Sequence, residues 1–115
     1  MRLTIFTSNH PRHLSFIKKL SNISDELNVV IESKTYFSEH FIIKDEKEYF
    51  YKMKNSESKI FGEIEPLENN GKTIFLNMGD LSKLKLNTID FALNSDIYIV
   101  FGCGFIKGDL CDFLI

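Results

Sequence analysis

Asp96-Ile97-Tyr98-Ile99-Val100-Phe101, followed at once by Gly102-Cys103-Gly104, is the stretch on which the fold turns. A short, near-continuous apolar run rich in β-branched residues is what a central parallel strand needs, because helices cover both faces of such a sheet. The run therefore predicts a strand in the middle of a parallel sheet, and the glycines turn the chain out of it toward a short helix starting near Lys107. Parallel strands cannot be joined by tight hairpins. They need crossovers of a dozen or more residues, usually helical, so the chain before Asp96 should alternate strands with helices.

Reading back toward the N-terminus, it does. Leu84, Leu86, Ile89 and Leu93 form the apolar set of a helix predicted over Ser82–Leu93, with Asp80 as its cap, and Thr73–Leu76 is a strand entered from the turn Asn69-Asn70-Gly71. At the front of the chain, Leu3–Phe6 is a short apolar strand followed by turn-forming Ser8-Asn9. A helix opens at His10-Pro11. Proline suits a first helical position, where its missing N–H would be unpaired anyway, and Ser8 or Asn9 is placed to cap. Leu14, Ile17 and Leu20 recur at helical spacing with Phe16 beside them, while Lys18 and Lys19 face out. Asn28–Ser33, centred on Val29, Val30 and Ile31, is the next strand. Between residues 34 and 70, dense charge from Lys44 to Glu48 and the aromatics Tyr49, Phe50 and Tyr51 predict a helix from Asp45 to Gly62. The whole is an α/β chain: an open, mainly parallel Rossmann-like sheet with helices on both faces, in a single domain over residues 1–115.

Composition narrows the function classes. Fourteen basic and sixteen acidic residues give a formal net charge of −2, without the basic footprint that nucleic acid or an anionic membrane surface calls for. No apolar run approaches the roughly 20 residues that span a bilayer, and Met1–Phe6 lacks the longer apolar region and cleavage site of a signal peptide. Two cysteines, Cys103 and Cys111, make neither a disulfide framework nor a zinc site, so a reducing cytoplasm is the expected setting. The aromatic residues are Phe and Tyr with no Trp, and most are expected in the core. The final residues, Asp112-Phe113-Leu114-Ile115, close on an apolar run with no polar tail, which predicts a unit incomplete at its C-terminus, with an unfinished edge open to self-association.

Two stretches carry a resemblance to a known family. Leu3-Thr4-Ile5-Phe6-Thr7-Ser8-Asn9-His10-Pro11-Arg12-His13-Leu14 is similar to the opening strand and turn of a subgroup of the folate-dependent formyltransferases. The segment from Met78-Gly79-Asp80-Leu81-Ser82 to Ser95–Gly108 resembles the family's later strand, its glycine-aromatic-isoleucine loop and the short helix after it. The family includes the enzymes that formylate methionyl-tRNA, glycinamide ribonucleotide and amino sugars. The resemblance implies a Rossmann-like fold, 10-formyltetrahydrofolate as formyl donor and an amine as small-molecule acceptor. It also implies that the donor's pterin meets Gly102, Cys103, Gly104, Phe105 and Ile106. The family's catalytic Asn and His stand in an Asn-x-His-x-Ser/Gly pattern on a following strand, with an Asp further on. That pattern does not occur in these 115 residues, so no catalytic residue carries over and the chain alone is expected to be inactive.

From the residues themselves the glycine loop has two readings. Glycines beyond the carboxyl end of a strand let backbone approach a flat ring closely; equally, they make a tight strand-to-helix turn. Asn9, His10 and Arg12 lie where nucleotide folds receive an anionic group at a helix start, or they are a capped and solvated helix opening. The G-x-G-x-x-G fingerprint of a dinucleotide site is absent. Cys103 is placed at a helix N-terminus, where a thiolate is favoured, but no base stands near it in sequence. A second function class stays open beside the enzyme: a non-enzymatic Rossmann-like binding or interaction module without the catalytic half.

Overall fold

The computed structural model of the chain describes residues 1–33, 52 and 70–115, and the helix predicted over Asp45–Gly62 lies outside the described residues. Four parallel strands form one sheet. They are β1 (Arg2–Ser8), β2 (Glu26–Ser33), β3 (Thr73–Asn77) and β4 (Ile97–Val100), in the order β3-β2-β1-β4. Helix α1 (Pro11–Ile23) links β1 to β2, and helix α2 (Gly108–Leu114) follows β4. In register, Ile5 of β1 lies opposite Val29 of β2 and Ile99 of β4.

Each face of the sheet has its own apolar core. The period-2 alternation of β1 sends Leu3 and Ile5 to one side, where they pack with Ile17 and Leu20 of α1 and Leu27, Val29 and Ile31 of β2. Phe6 and Val30 point to the other side, against Leu81, Ile89, Ala92 and Leu110. Helical elements on both faces of a parallel sheet make this an α/β arrangement of the Rossmann-like kind, as the alternating pattern predicts. No helix among the described residues is long and apolar enough to cross a membrane.

Several expectations are corrected. The strand expected at the centre, β4, is one of the two edge strands among the described residues, with β3 at the other edge, and β1 and β2 hold the middle. Ile97, Val100 and Phe101 are correspondingly exposed. An apolar run shows that a strand has apolar neighbours, but not on how many sides. The predicted helix over Ser82–Leu93 is instead two 3₁₀ turns, Asp80–Ser82 and Leu86–Ala92, kinked at Ile89 (φ −119°, ψ 31°). Its leucines still face the core, because one turn of either helix type brings residues three apart to the same side. Asp80 does not cap. Its carboxylate accepts the Asn77 N–H at 2.9 Å and closes the turn after β3, while Gly79 occupies the cap position. Nor are the described rings mostly core: of the described phenylalanines, Phe75, Phe101, Phe105 and Phe113 are exposed and only Phe6 is fully buried.

Candidate ligand site at the carboxyl edge of the sheet

From β1 the strand order runs one way through β2 to β3, and β4 then returns to the opposite side of β1. The topology thus reverses between β1 and β4. In open α/β sheets, ligands bind beyond the carboxyl ends of the strands at such a reversal. Here the two flanking loops are Asn9-His10, leading into α1, and Phe101–Lys107, leading into α2. They contain every residue that the sequence nominated for ligand binding except Arg12, which stands in the first turn of α1.

The first loop is held by its own side chains. Pro11 occupies the first helical position as predicted, but neither Ser8 nor Asn9 caps α1. His10 is the cap residue in extended conformation, and its carbonyl accepts the N–H groups of His13 (2.9 Å) and Leu14 (3.0 Å). Ser8 is engaged elsewhere: its Oγ lies 2.6 Å from Nδ1 of the buried His13. Arg12 donates from Nε to Nε2 of the same ring at 3.1 Å. With Nε2 accepting, the neutral ring carries its proton on Nδ1 and donates to Ser8. The ring therefore acts as a structural post. Phe101 packs edge-on against it, centroids 4.9 Å apart, and against Phe16 at 5.2 Å.

The second loop is pinned along its length. The Phe101 N–H donates to the Phe6 carbonyl at 2.9 Å, extending the ladder one residue past β4. Gly102, at φ 78°, lies directly against the His13 ring. The Gly104 N–H donates to Oε1 of Glu32 at 3.0 Å. Ser82 Oγ donates to the Phe105 carbonyl and accepts the Lys107 N–H, both at 2.9 Å. Between these anchors the Phe105 ring is 95% exposed. Ile106 and Cys103 turn their side chains against the core that contains Phe6 and Leu81, so the loop offers a ligand mainly backbone and the Phe105 ring. Cys103 is not at a helix N-terminus, since α2 starts only at Gly108.

No protein-family model, no curated protein and no solved structure matches the chain.

The two nominated groups meet through His13, which Arg12 touches from one side and Gly102 from another. Glu32, Ser8 and Ser82 were not nominated, although they do most to shape the site. Glu32 left one signal: an acidic residue flush against the apolar run Val29-Val30-Ile31 at a strand's carboxyl end. In dinucleotide-binding folds an acidic residue there takes a ribose hydroxyl. Glu32 instead spends both oxygens on loop amides, Gly79 at 3.1 Å and Gly104 at 3.0 Å. Among the described residues no group of three or more His, Cys, Asp or Glu side chains is arranged to hold a metal ion. What this edge can do is present a fixed backbone surface and one bare aromatic ring to a flat ligand.

Proposed function

We propose that this chain is the formyl-donor-binding part of a folate-dependent formyltransferase, which moves a formyl group from 10-formyltetrahydrofolate to an amine, such as that of an amino sugar. Gly102, Cys103, Gly104, Phe105 and Ile106 line the pterin, and Asn9, His10 and Arg12 lie toward the anionic part of the acceptor. The resemblance of the two quoted stretches to the family supports this reading. The carrying observation is the loop: anchored by Glu32 and Ser82 at the topological reversal, it leaves the Phe105 ring 95% exposed. An exposed Phe on a mobile loop tip needs no explanation, whereas one held out by several hydrogen bonds suits stacking on a flat heterocycle.

In the family, the His and Asp assist proton transfer as the amine attacks, and the Asn stabilises the oxyanion. This chain's own histidine at the site, His13, has both ring nitrogens engaged by Ser8 and Arg12, so it is given no catalytic role. The chain alone is expected to bind the donor without turning it over. The test is a titration of the 115-residue chain with 5-formyltetrahydrofolate, a stable formylated folate, followed by amide NMR. Saturable shifts confined to the Phe101–Lys107 loop and its neighbours are expected. No shift up to ~1 mM, a ceiling of about −4 kcal/mol in affinity, overturns the reading in favour of a non-enzymatic module.

A further inference from the structure

Glu32 is 2% exposed at the carboxyl end of β2, and among the described residues no lysine or arginine forms a salt bridge with it. An ionised carboxylate is an acceptor only, and its burial is costly unless donors converge on it. The donors here are two backbone amides from different loops. Oε2 takes the N–H of Gly79, in the turn after β3, and Oε1 takes the N–H of Gly104, in the loop after β4. Those loops belong to strands on opposite sides of β1 and β2 in the sheet, so one side chain bridges the carboxyl edge. At Gly104 the approach is close: a Cβ there would stand 2.8 Å from Oε1.

We infer that Glu32 is the positioning residue of the candidate site: its carboxylate locks the β3 and β4 loops in one relative arrangement, so that the pterin-facing backbone of Gly102–Ile106 is formed before ligand arrives. The inference rests on the proposal that this loop takes the pterin. Bonds to an ionised acceptor are the stronger kind, and a split carboxylate is the only side chain that can satisfy both amides at this reach. Glutamine has the same shape but offers one oxygen and one NH₂, so one of the two loop amides would face a donor. If the arranged loop then falls to a tenth of the population, apparent affinity falls about tenfold.

The experiment compares wild type, Glu32→Gln and Gly104→Ala in the full chain, with 5-formyltetrahydrofolate as the probe and with amide hydrogen exchange at Gly79 and Gly104. Gly104→Ala leaves Glu32 in place but intrudes a methyl on Oε1, so it decides the matter should Glu32→Gln fail to fold. The expected result is binding about tenfold weaker in both variants, with accelerated exchange at a loop amide and an unchanged far-UV spectrum. A variant that loses amide protection yet binds like wild type overturns the positioning role and leaves the pterin reading standing. Failure of wild type itself to bind overturns the pterin reading, and the inference with it.

Discussion

A Cβ built on Gly102 would lie 2.1 Å from Cε1 of His13, closer than any real pair of carbon atoms that are not bonded. Gly102 also sits at φ 78°, where a side chain costs roughly 1–2 kcal/mol. Gly79 shares the backbone conformation, φ 93°, but a Cβ there meets nothing within 4 Å. The pair separates the two costs. Gly79→Ala should destabilise by about 1–2 kcal/mol from the backbone alone, and Gly102→Ala by about 2–5 kcal/mol, because overpacking against His13 adds roughly 1–3. In a His13→Ala background the excess at Gly102 should vanish, a non-additivity that denaturant melts of the double mutant would read directly. Equal costs at the two glycines would show that His13 swings aside freely.

Thr4 and Thr7 lie on the same strand, both fully buried, yet they should respond oppositely to the same substitution. Thr4 Oγ1 is 2.7 Å from the Ala92 carbonyl and 2.7 Å from Ser95 Oγ. Thr7 Oγ1 is the buried side-chain oxygen that finds no partner among the described residues. Valine keeps the shape and removes the hydroxyl. Thr4→Val should therefore cost about 1–3 kcal/mol, the penalty for stranding buried groups. Thr7→Val should stabilise by about 1 kcal/mol, since it abolishes a desolvated hydroxyl. A lower melting temperature for Thr7→Val would mean that its hydroxyl has a partner after all, such as an ordered water.

Acid should loosen the N-terminal corner. The terminal ammonium of Met1 pairs with Asp25, and its hydrogen bond and charge together hold that carboxyl below its ordinary 3.8. A pKa lowered by folding means the unfolded chain binds more protons in that range, so stability rises with pH there. The contribution is present above the ordinary value and is lost as pH falls through the lowered one. Asp25 is largely exposed, so the effect is small and screened by salt. Stability measured from pH 6 down to pH 2 at low ionic strength should fall less steeply for Asp25→Asn than for wild type. Identical slopes would show the pair to be silent in solution.

How much of this was legible beforehand depends on which interactions a residue answers to. β1, α1, β2 and β3 were readable because periodicity and local turn chemistry agree, as at Pro11 and in the run Val29-Val30-Ile31. The regular helix that the spacing predicts over Ser82–Leu93 is not what forms, because the same leucine spacing satisfies 3₁₀ turns equally well, and only the packing around Ile89 decides between them. The place of the candidate site, beyond β1 and β4, follows from the alternation of elements. The side chains that shape it do not. Glu32 and Ser82 act on backbone far along the chain, at Gly104 and Lys107, and Ser8 acts on the His13 ring across the turn into α1. No local pattern encodes such partners.

The Phe105 ring offers the sharpest separation of folding from function. It is 95% exposed, and the loop's anchors are backbone groups: the Phe105 carbonyl and Lys107 N–H on Ser82, and the Gly104 N–H on Glu32. Phe105→Ala removes none of them, so stability should stay within about 0.5 kcal/mol of wild type, as for other exposed positions. If the ring stacks on the donor's pterin, its loss removes an aromatic contact worth about 0.5–1.5 kcal/mol beyond the area it covers, and affinity for 5-formyltetrahydrofolate should drop about tenfold. Ser82→Ala should behave differently, lowering the melting temperature and the affinity together, because it unties two points of the loop at once. Calorimetric titration and thermal melts of the two variants side by side would distinguish a contact from a support. Wild-type affinity in Phe105→Ala would move the ligand off this ring, leaving the backbone of Gly102 and Gly104 as the surface that meets it.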